Sequence, residues 1–448
     1  FQLRLEPLLT EPYSSACSGE APENHLAAIM ASGAMFCTLM TRCWYEHYDG
    51  QPTRLNPSVF VIGPPASGKS FVKRLDDAIM SAMRTADAPG RKAEKEYKRK
   101  QKERSTSSKA QKSEPLEQPT EMIRYLPSKT SNAVFFRRAE NAKEVIDGDI
   151  MHLHLYMFDS ELDSSVTAQS GGAWIGKHDL ELKAFHNEFS GVDYANTDSV
   201  NDIIQVFWNQ VITGTLISLQ KKINMRNIND GLCTRLGIVK MFPAKYSMMA
   251  RGNPAANSEA HTHLREWGYR FDGMKGELKI GRLVDHCYDL CAEYARQAGE
   301  QQDDVLDLLR KRAVYYAIWL TIPRIYGRQW EHYRETGEVE VDDDDLQFAA
   351  IIYEAVIYWQ DYFFGRMLSD SWQNAELELQ QRKRNSQANA EYSSLPQVFH
   401  SKDMASTLDI TDNTARARIA RWLRQGYIVK VGTTRPATYR KVVKDIIV

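Results

Sequence analysis

The stretch Val59-Phe-Val-Ile-Gly-Pro-Pro-Ala-Ser-Gly-Lys-Ser70 decides the fold class. Its first four residues are β-branched or aromatic and read as a buried strand. The chain then turns abruptly through Gly63, Pro64, Pro65, Ala66, Ser67 and Gly68 into Lys69 and Ser70, after which Phe71, Val72, Leu75 and Ile79 recur at helical spacing. A strand, a loop with glycine at both ends and a helix that opens on Lys-Ser make a P-loop pattern. Backbone N–H groups ring a phosphate, Lys69 reaches its outer oxygens, and the Ser70 hydroxyl ligates Mg²⁺. Residues Gly63 to Ser70 are thus expected to hold ATP with Mg²⁺ at the edge of an α/β P-loop NTPase core.

Outward from the loop, the 448 residues suffice for about three domains. A net charge of −1 gives no whole-chain argument for nucleic acid, so partners must be read from local patches. Six cysteines lie scattered without a regular framework, which fits a reducing compartment and sets the cytoplasm as the expected location. The uncharged run from Leu26 to Thr41 is shorter than the roughly 20 residues a membrane span needs and follows acids instead of a basic region. It reads as a buried helix, and no membrane partner is expected. The chain begins at Phe1 without an initiator Met, as a piece of a longer protein or a chain whose N-terminus has been removed would.

Upstream of the loop, residues 1–52 read as a helical lead-in, with helical spacing from Pro22 to about His47 and a break near Ser32-Gly33. Residues 53–245 read as the ATPase core. Within it, about 88–120 is a basic insertion whose composition suits a solvated, partly helical segment with a disordered tip, or a DNA arm. Met122 to Leu126 reads as a strand and Ser131 as the cap of a following helix. The apolar strand His152-Leu-His-Leu-Tyr-Met-Phe-Asp159 ends in acids. Asp159 suits a water-mediated Mg²⁺ ligand, and Glu161, two residues on and so on the same side of an extended chain, suits the polarisation of an attacking water. Asp163 is a weaker candidate. Residues 168–202 read as a loop and helix excursion, in which Lys177, His178 and Lys183 are either DNA contacts or plain surface.

The strand Val206 to Thr215 ends in small polar residues, where Thr213 or Thr215 would sense the γ-phosphate. Arg235 stands directly before the last apolar strand, a position from which an arginine can reach a neighbouring subunit's nucleotide. The histidine pairs and Cys287 with Cys291 lack companions at zinc spacing, so no structural zinc is expected. Residues 246–369 read as an all-helical lid, with Pro323 expected to kink or end its second helix, the acids 338–345 to cap its third, and Arg312 to serve as a second phosphate sensor. Residues 370–390 read as a linker. Residues 391–448 read as a winged helix-turn-helix: a helix from Phe399 to Leu408, a second from Asn413 to Arg424, and a two-stranded wing. The second helix is expected to turn Thr414, Arg416, Arg418 and Arg421 outward to DNA. Such modules also dock proteins.

In this order the motifs resemble the ATPase half of minichromosome-maintenance-type AAA+ helicases, in which the arginine before the last strand is a finger and the lid arginine a second sensor. In detail residues 22–370 are similar to a helicase-like P-loop ATPase family of bacterial mobile elements and prophages. The split Asp159-Ser-Glu161, the basic insertion and the lack of a clear sensor Asn depart from that pattern. The resemblance implies a DNA helicase or translocase for replication of a mobile element, working as a homo-oligomer, a hexameric ring, on single-stranded or origin duplex DNA, with a primase encoded upstream or beside it. The competing expectation is a nucleotide-switched DNA-binding initiator or regulator without unwinding activity.

Overall fold

The apolar run before the glycine loop becomes the second strand of a parallel sheet. In a computed structural model, which describes residues 1–106, 119–162, 177–191, 203–225, 227–243, 254–432 and 436–442, the chain divides into two compact units, Phe1–Leu368 and Ser369–Val448. Asp163, most of the 168–202 excursion, the tip of the basic insertion and the turn of the C-terminal hairpin lie outside the described residues.

In the first unit β1 (Ser58–Ile62), β2 (Tyr125–Leu126), β3 (Leu155–Asp159), β4 (Trp208–Gly214) and β5 (Gly237–Lys240) form one all-parallel sheet in the order β5-β1-β4-β3-β2. Parallel strands need crossovers that cover the sheet with helices, and every residue of the central β4 is buried. One covering helix is α1 (His25–Leu39), buried at every residue and packed on β1, β4 and β5. Another is α2 (Ser70–Ile79), which follows the glycine loop.

Two expectations for this unit are corrected. The helical pattern does not run to His47: α1 ends at Leu39, and Arg42–Glu46 is a strand between Lys275–Glu277 and Pro52–Thr53. Nor does Gly33 break α1. A Cβ there would stand 2.6 Å from the Tyr13 hydroxyl oxygen and 2.7 Å from Leu320, so glycine is required by close packing inside an unbroken helix.

The lid region is helical, with Gly281–Gln301, α3 (Asp304–Arg328) and α4 (Asp343–Gln360) packed together. Pro323 does not end α3, which runs five residues further to Arg328. Proline lacks the N–H that would bond the carbonyl four residues back. That carbonyl, on Trp319, instead accepts from Cys37 Sγ at 3.1 Å, and the next, on Leu320, accepts from the Tyr13 hydroxyl at 2.6 Å. The acids do cap α4: Asp342 accepts from the Asp345 N–H at 2.8 Å, and Asp345 answers the Asp342 N–H at 3.1 Å.

Residues 370–390, expected as a linker, lie in a helix from Arg366 to Ser394, because Glu, Gln, Arg and Lys are good helix formers as well as soluble ones. The second unit then forms β6 (Val398–His400), α5 (Ser401–Thr407), α6 (Asp412–Arg424), β7 (Ile428–Val431) and β8 (Thr438–Lys441), with the antiparallel sheet order β6-β8-β7. Phe399 and His400, expected to open a helix, pair instead with Tyr439 and Thr438. Tyr392, Phe399, Met404, Ile419 and Trp422 make the core of this unit. No helix among the described residues is long and apolar enough to cross a membrane.

Candidate functional site

At the carboxyl edge of the sheet, β1 gives way to the Gly63–Lys69 loop. Ala66 and Gly68 take left-handed backbone, φ +59° and +82°, which curls the loop. Gly63 is required for a different reason: a Cβ would meet Ser67 Oγ at 2.6 Å and the Met241 Cβ at 3.0 Å. Lys69 Nζ lies across this curl and donates to the carbonyls of Gly63 at 2.9 Å and Pro64 at 2.7 Å and to Ser67 Oγ at 3.3 Å. Burial pulls its pKa below the ordinary lysine value. Pro64 and Pro65 are exposed and carry no N–H, so any anion in the curl must be held by Lys69 and by the N–H groups that lead into α2, the first of which lack partners within the helix. Ser70, the first residue of α2, is exposed.

Asp159 closes β3 and is in register with Ile212 of β4, itself in register with Phe60 of β1. One strand therefore separates the acid from the loop strand, a lateral distance of about 10 Å. Asp159 is 5% exposed. Its Oδ1 accepts from the Glu161 N–H at 3.0 Å, while its Oδ2 is buried without a partner among the described residues. A buried carboxylate oxygen with no donor is costly unless water or a cation completes it. The Asp159 carboxylate and the Ser70 hydroxyl are hard oxygens of the kind Mg²⁺ takes.

Two neighbours differ from expectation. Glu161 is exposed but is not carried by strand alternation, because β3 stops at Asp159 and the carboxylate bends the chain back on itself. Thr213 is buried beside the acid strand and its hydroxyl donates to the Ser160 carbonyl at 2.6 Å. It braces the acidic turn and does not offer its proton outward. Thr215 caps the helix Leu216–Lys222.

Arg235 and Arg312 come together at the opposite, amino edge. Arg235 Nη1 donates to the Gly231 carbonyl at 3.1 Å, and Arg312 Nη1 donates to Thr234 Oγ1 at 2.5 Å. The Tyr316 hydroxyl, one helical turn beyond Arg312, lies within hydrogen-bond distance of the carbonyls of Ser58, at the start of β1, and Arg235, with one proton to give to either. Four residues of strand, about 13 Å, lie between Ser58 and the end of β1. Arg312, expected as a second phosphate sensor, thus lies at the edge away from the glycine loop of its own chain. Burial lowers the pKa of both guanidiniums, and for Arg312 the charge of Arg235 adds to the effect. Glu188 offsets part of this for each, and His186, also depressed by burial, feels both cations. Arg235 Nε is buried without a partner among the described residues. No sequence signal foretold this pairing, which joins a short turn to a helix 77 positions away (Arg235 and Arg312).

In the second unit Thr414, Arg416 and Arg421 lie on the exposed side of α6, with Arg416 bonded to Asp412 at 3.0 Å. Arg418 does not: it is half-buried and paired with Glu391. Arg424 takes its place on the exposed face, a position the three-residue step from Arg421 would have revealed. Of the three residues proposed as surface contacts in the excursion, Lys177 is buried and donates to the Thr130 carbonyl, and His178 and Lys183 pair with Asp230 and Asp179.

No protein-family model matches the chain, and no curated protein aligns with it significantly.

Proposed function

We propose that the chain is a Mg²⁺-dependent ATPase of the P-loop class that assembles through copies of itself and works on DNA, with ATP hydrolysed between subunits of a ring. The observation that carries this reading is the pairing, at one edge of a parallel sheet, of a curled glycine loop bearing Lys69 with a buried Asp159 whose Oδ2 lacks a donor. Lys69 would leave the loop carbonyls for the β- and γ-phosphates. Mg²⁺ would be held by Ser70 and, through water, by Asp159, and would neutralise charge on those phosphates. Glu161 is the nearest acid in sequence for orienting the attacking water, while Thr213 positions the turn that carries it.

Arg235 and Arg312, two cations at the far edge from their own loop, would act on a neighbour's nucleotide. The second unit, with a helix whose exposed face carries Arg416, Arg421 and Arg424 beside a small sheet, suits a winged helix-turn-helix on DNA phosphates. A helicase of a mobile element, similar to minichromosome-maintenance-type motors and served by a primase, is the fullest form of the proposal. Six unpaired cysteines suit a reducing cytoplasm. Steady-state ATP hydrolysis with and without single-stranded DNA tests it. Strong stimulation supports a translocase; slow turnover indifferent to single strands, with preference for one duplex, would replace it with the nucleotide-switched initiator.

A further inference from the structure

The basic segment after α2 is one continuous helix from Ser81 to Thr106. Its first half is fastened to the body of the unit. Asp87 accepts from the N–H groups of Arg124 at 2.9 Å and Tyr125 at 2.8 Å, Gly90 lies where a Cβ would meet the Met122 carbonyl at 2.7 Å, and Glu94 pairs with Arg137 at 3.3 Å and Arg138 at 2.5 Å. Its second half is different. From Arg91 to Arg104 it carries eight basic and three acidic residues, and only Ala93 and Tyr97 are apolar. Lys92, Lys95, Lys98 and Lys100 are exposed and make no ion pair or side-chain hydrogen bond among the described residues. Arg99, also exposed, is 3.8 Å from Glu103.

Lys92, Lys95 and Arg99 follow the three- and four-residue steps of one helix face, with Lys98 at its margin. Over about 10 Å of axis they set a line of positive charge on a helix already anchored at its base. A surface of this kind attracts polyanions. An anionic bilayer would also need an apolar face to enter the interface, and the segment has none. We propose that the helix face of Lys92, Lys95, Lys98 and Arg99 is a sequence-independent docking surface for the phosphodiester backbone of nucleic acid. It uses other residues than the arginines of α6, and it extends the DNA reading given above, on which it rests. Contacts of this type release counterions, so they are read from the salt dependence of binding.

The test is binding of the full chain to a labelled 40-mer, single-stranded and as duplex, over a series of salt concentrations. The variant replaces Lys92, Lys95, Lys98 and Arg99 by Gln, which is nearly as good a helix former. A control chain carries Gln at Lys73, Lys221, Lys279 and Lys311, and far-UV circular dichroism verifies both folds. Loss of about three phosphate contacts lowers the slope of log K against log salt by about 2 to 3 and weakens binding by about tenfold or more near 0.1 M salt, with the control unchanged. The arm that loses more identifies the form of nucleic acid held. Binding with the slope of the unmodified chain would overturn the docking surface and leave the DNA reading standing. No binding of either oligonucleotide by the unmodified chain, or retention on phosphatidylserine vesicles alone, would overturn both.

Discussion

The two edges of the central sheet differ in what they leave unsatisfied. The carboxyl edge has a curled loop, a lysine over it and a carboxylate oxygen without a donor among the described residues; the amino edge has two guanidiniums, one with a buried Nε without an acceptor among them. The Asp159 oxygen and the Arg235 nitrogen, separated by about the length of a strand, do not satisfy each other within one chain. On the proposal above, two copies placed edge to edge would hold one nucleotide between these two edges, and the arginine would meet its phosphate there.

A large effect is expected at the carboxyl edge. Asp159→Asn keeps the shape of the turn but removes the charge that would hold Mg²⁺, so turnover should fall by about a hundredfold or more while ATP binding persists. Equal turnover in the variant would remove Asp159 from the site. At the amino edge, acid should be the sensitive variable. His47 is 3% exposed, stacks on Tyr315 at 4.6 Å, and has both ring nitrogens without partners among the described residues. Burial, offset in part by Asp49 and reinforced by His186, lowers its pKa to about 4. The unfolded imidazole takes a proton near 6.5 and the folded one does not, so this contribution to stability is complete above pH 6.5 and is lost as pH falls toward about 4. His47→Phe should shrink the stability difference between neutral pH and about pH 5 by about 2 kcal/mol, measured by urea unfolding. An unchanged pH profile would contradict the burial argument.

The smallest effects separate two arginines on α6. Arg418→Ala, which breaks a half-buried pair with Glu391, should lower the stability of the second unit by about 0.5 to 1 kcal/mol. Arg421→Ala should leave stability alone and weaken duplex binding instead. Thermal unfolding and fluorescence anisotropy read the two, and a swap of these phenotypes would reverse the assignment of faces.

What the residues alone disclosed follows the range of the interactions involved. The loop strand, the Ser131 cap and the acidic cap of α4 are local patterns, and the structure has them where periodicity and capping chemistry placed them; the acid strand ends at Asp159 as expected but begins at Leu155, because His152 closes a separate hairpin. Local reading failed where a distant group intervened. Cys37 and Tyr13 supply the bonds that let α3 pass Pro323, and Tyr13 and Leu320 fill the space that Gly33 leaves. Arg418 looked outward by composition until Glu391, 27 residues away, claimed it. Arg312 belonged to the lid by sequence and to Arg235 by folding. In each case the deciding contact joins segments that no window of sequence contains.

The most direct measurement mixes two inactive chains. Lys69→Ala loses the phosphate cradle and Arg235→Ala loses the arginine, and each alone should hydrolyse ATP at most at about a thousandth of the native rate. Mixed in equal amounts, random assembly gives about a quarter of interfaces an intact loop from one chain and an intact arginine from the other, so hydrolysis should recover to as much as about a quarter of the native rate. No recovery on mixing, or an Arg235→Ala chain as active as the native one, would contradict a site shared between copies.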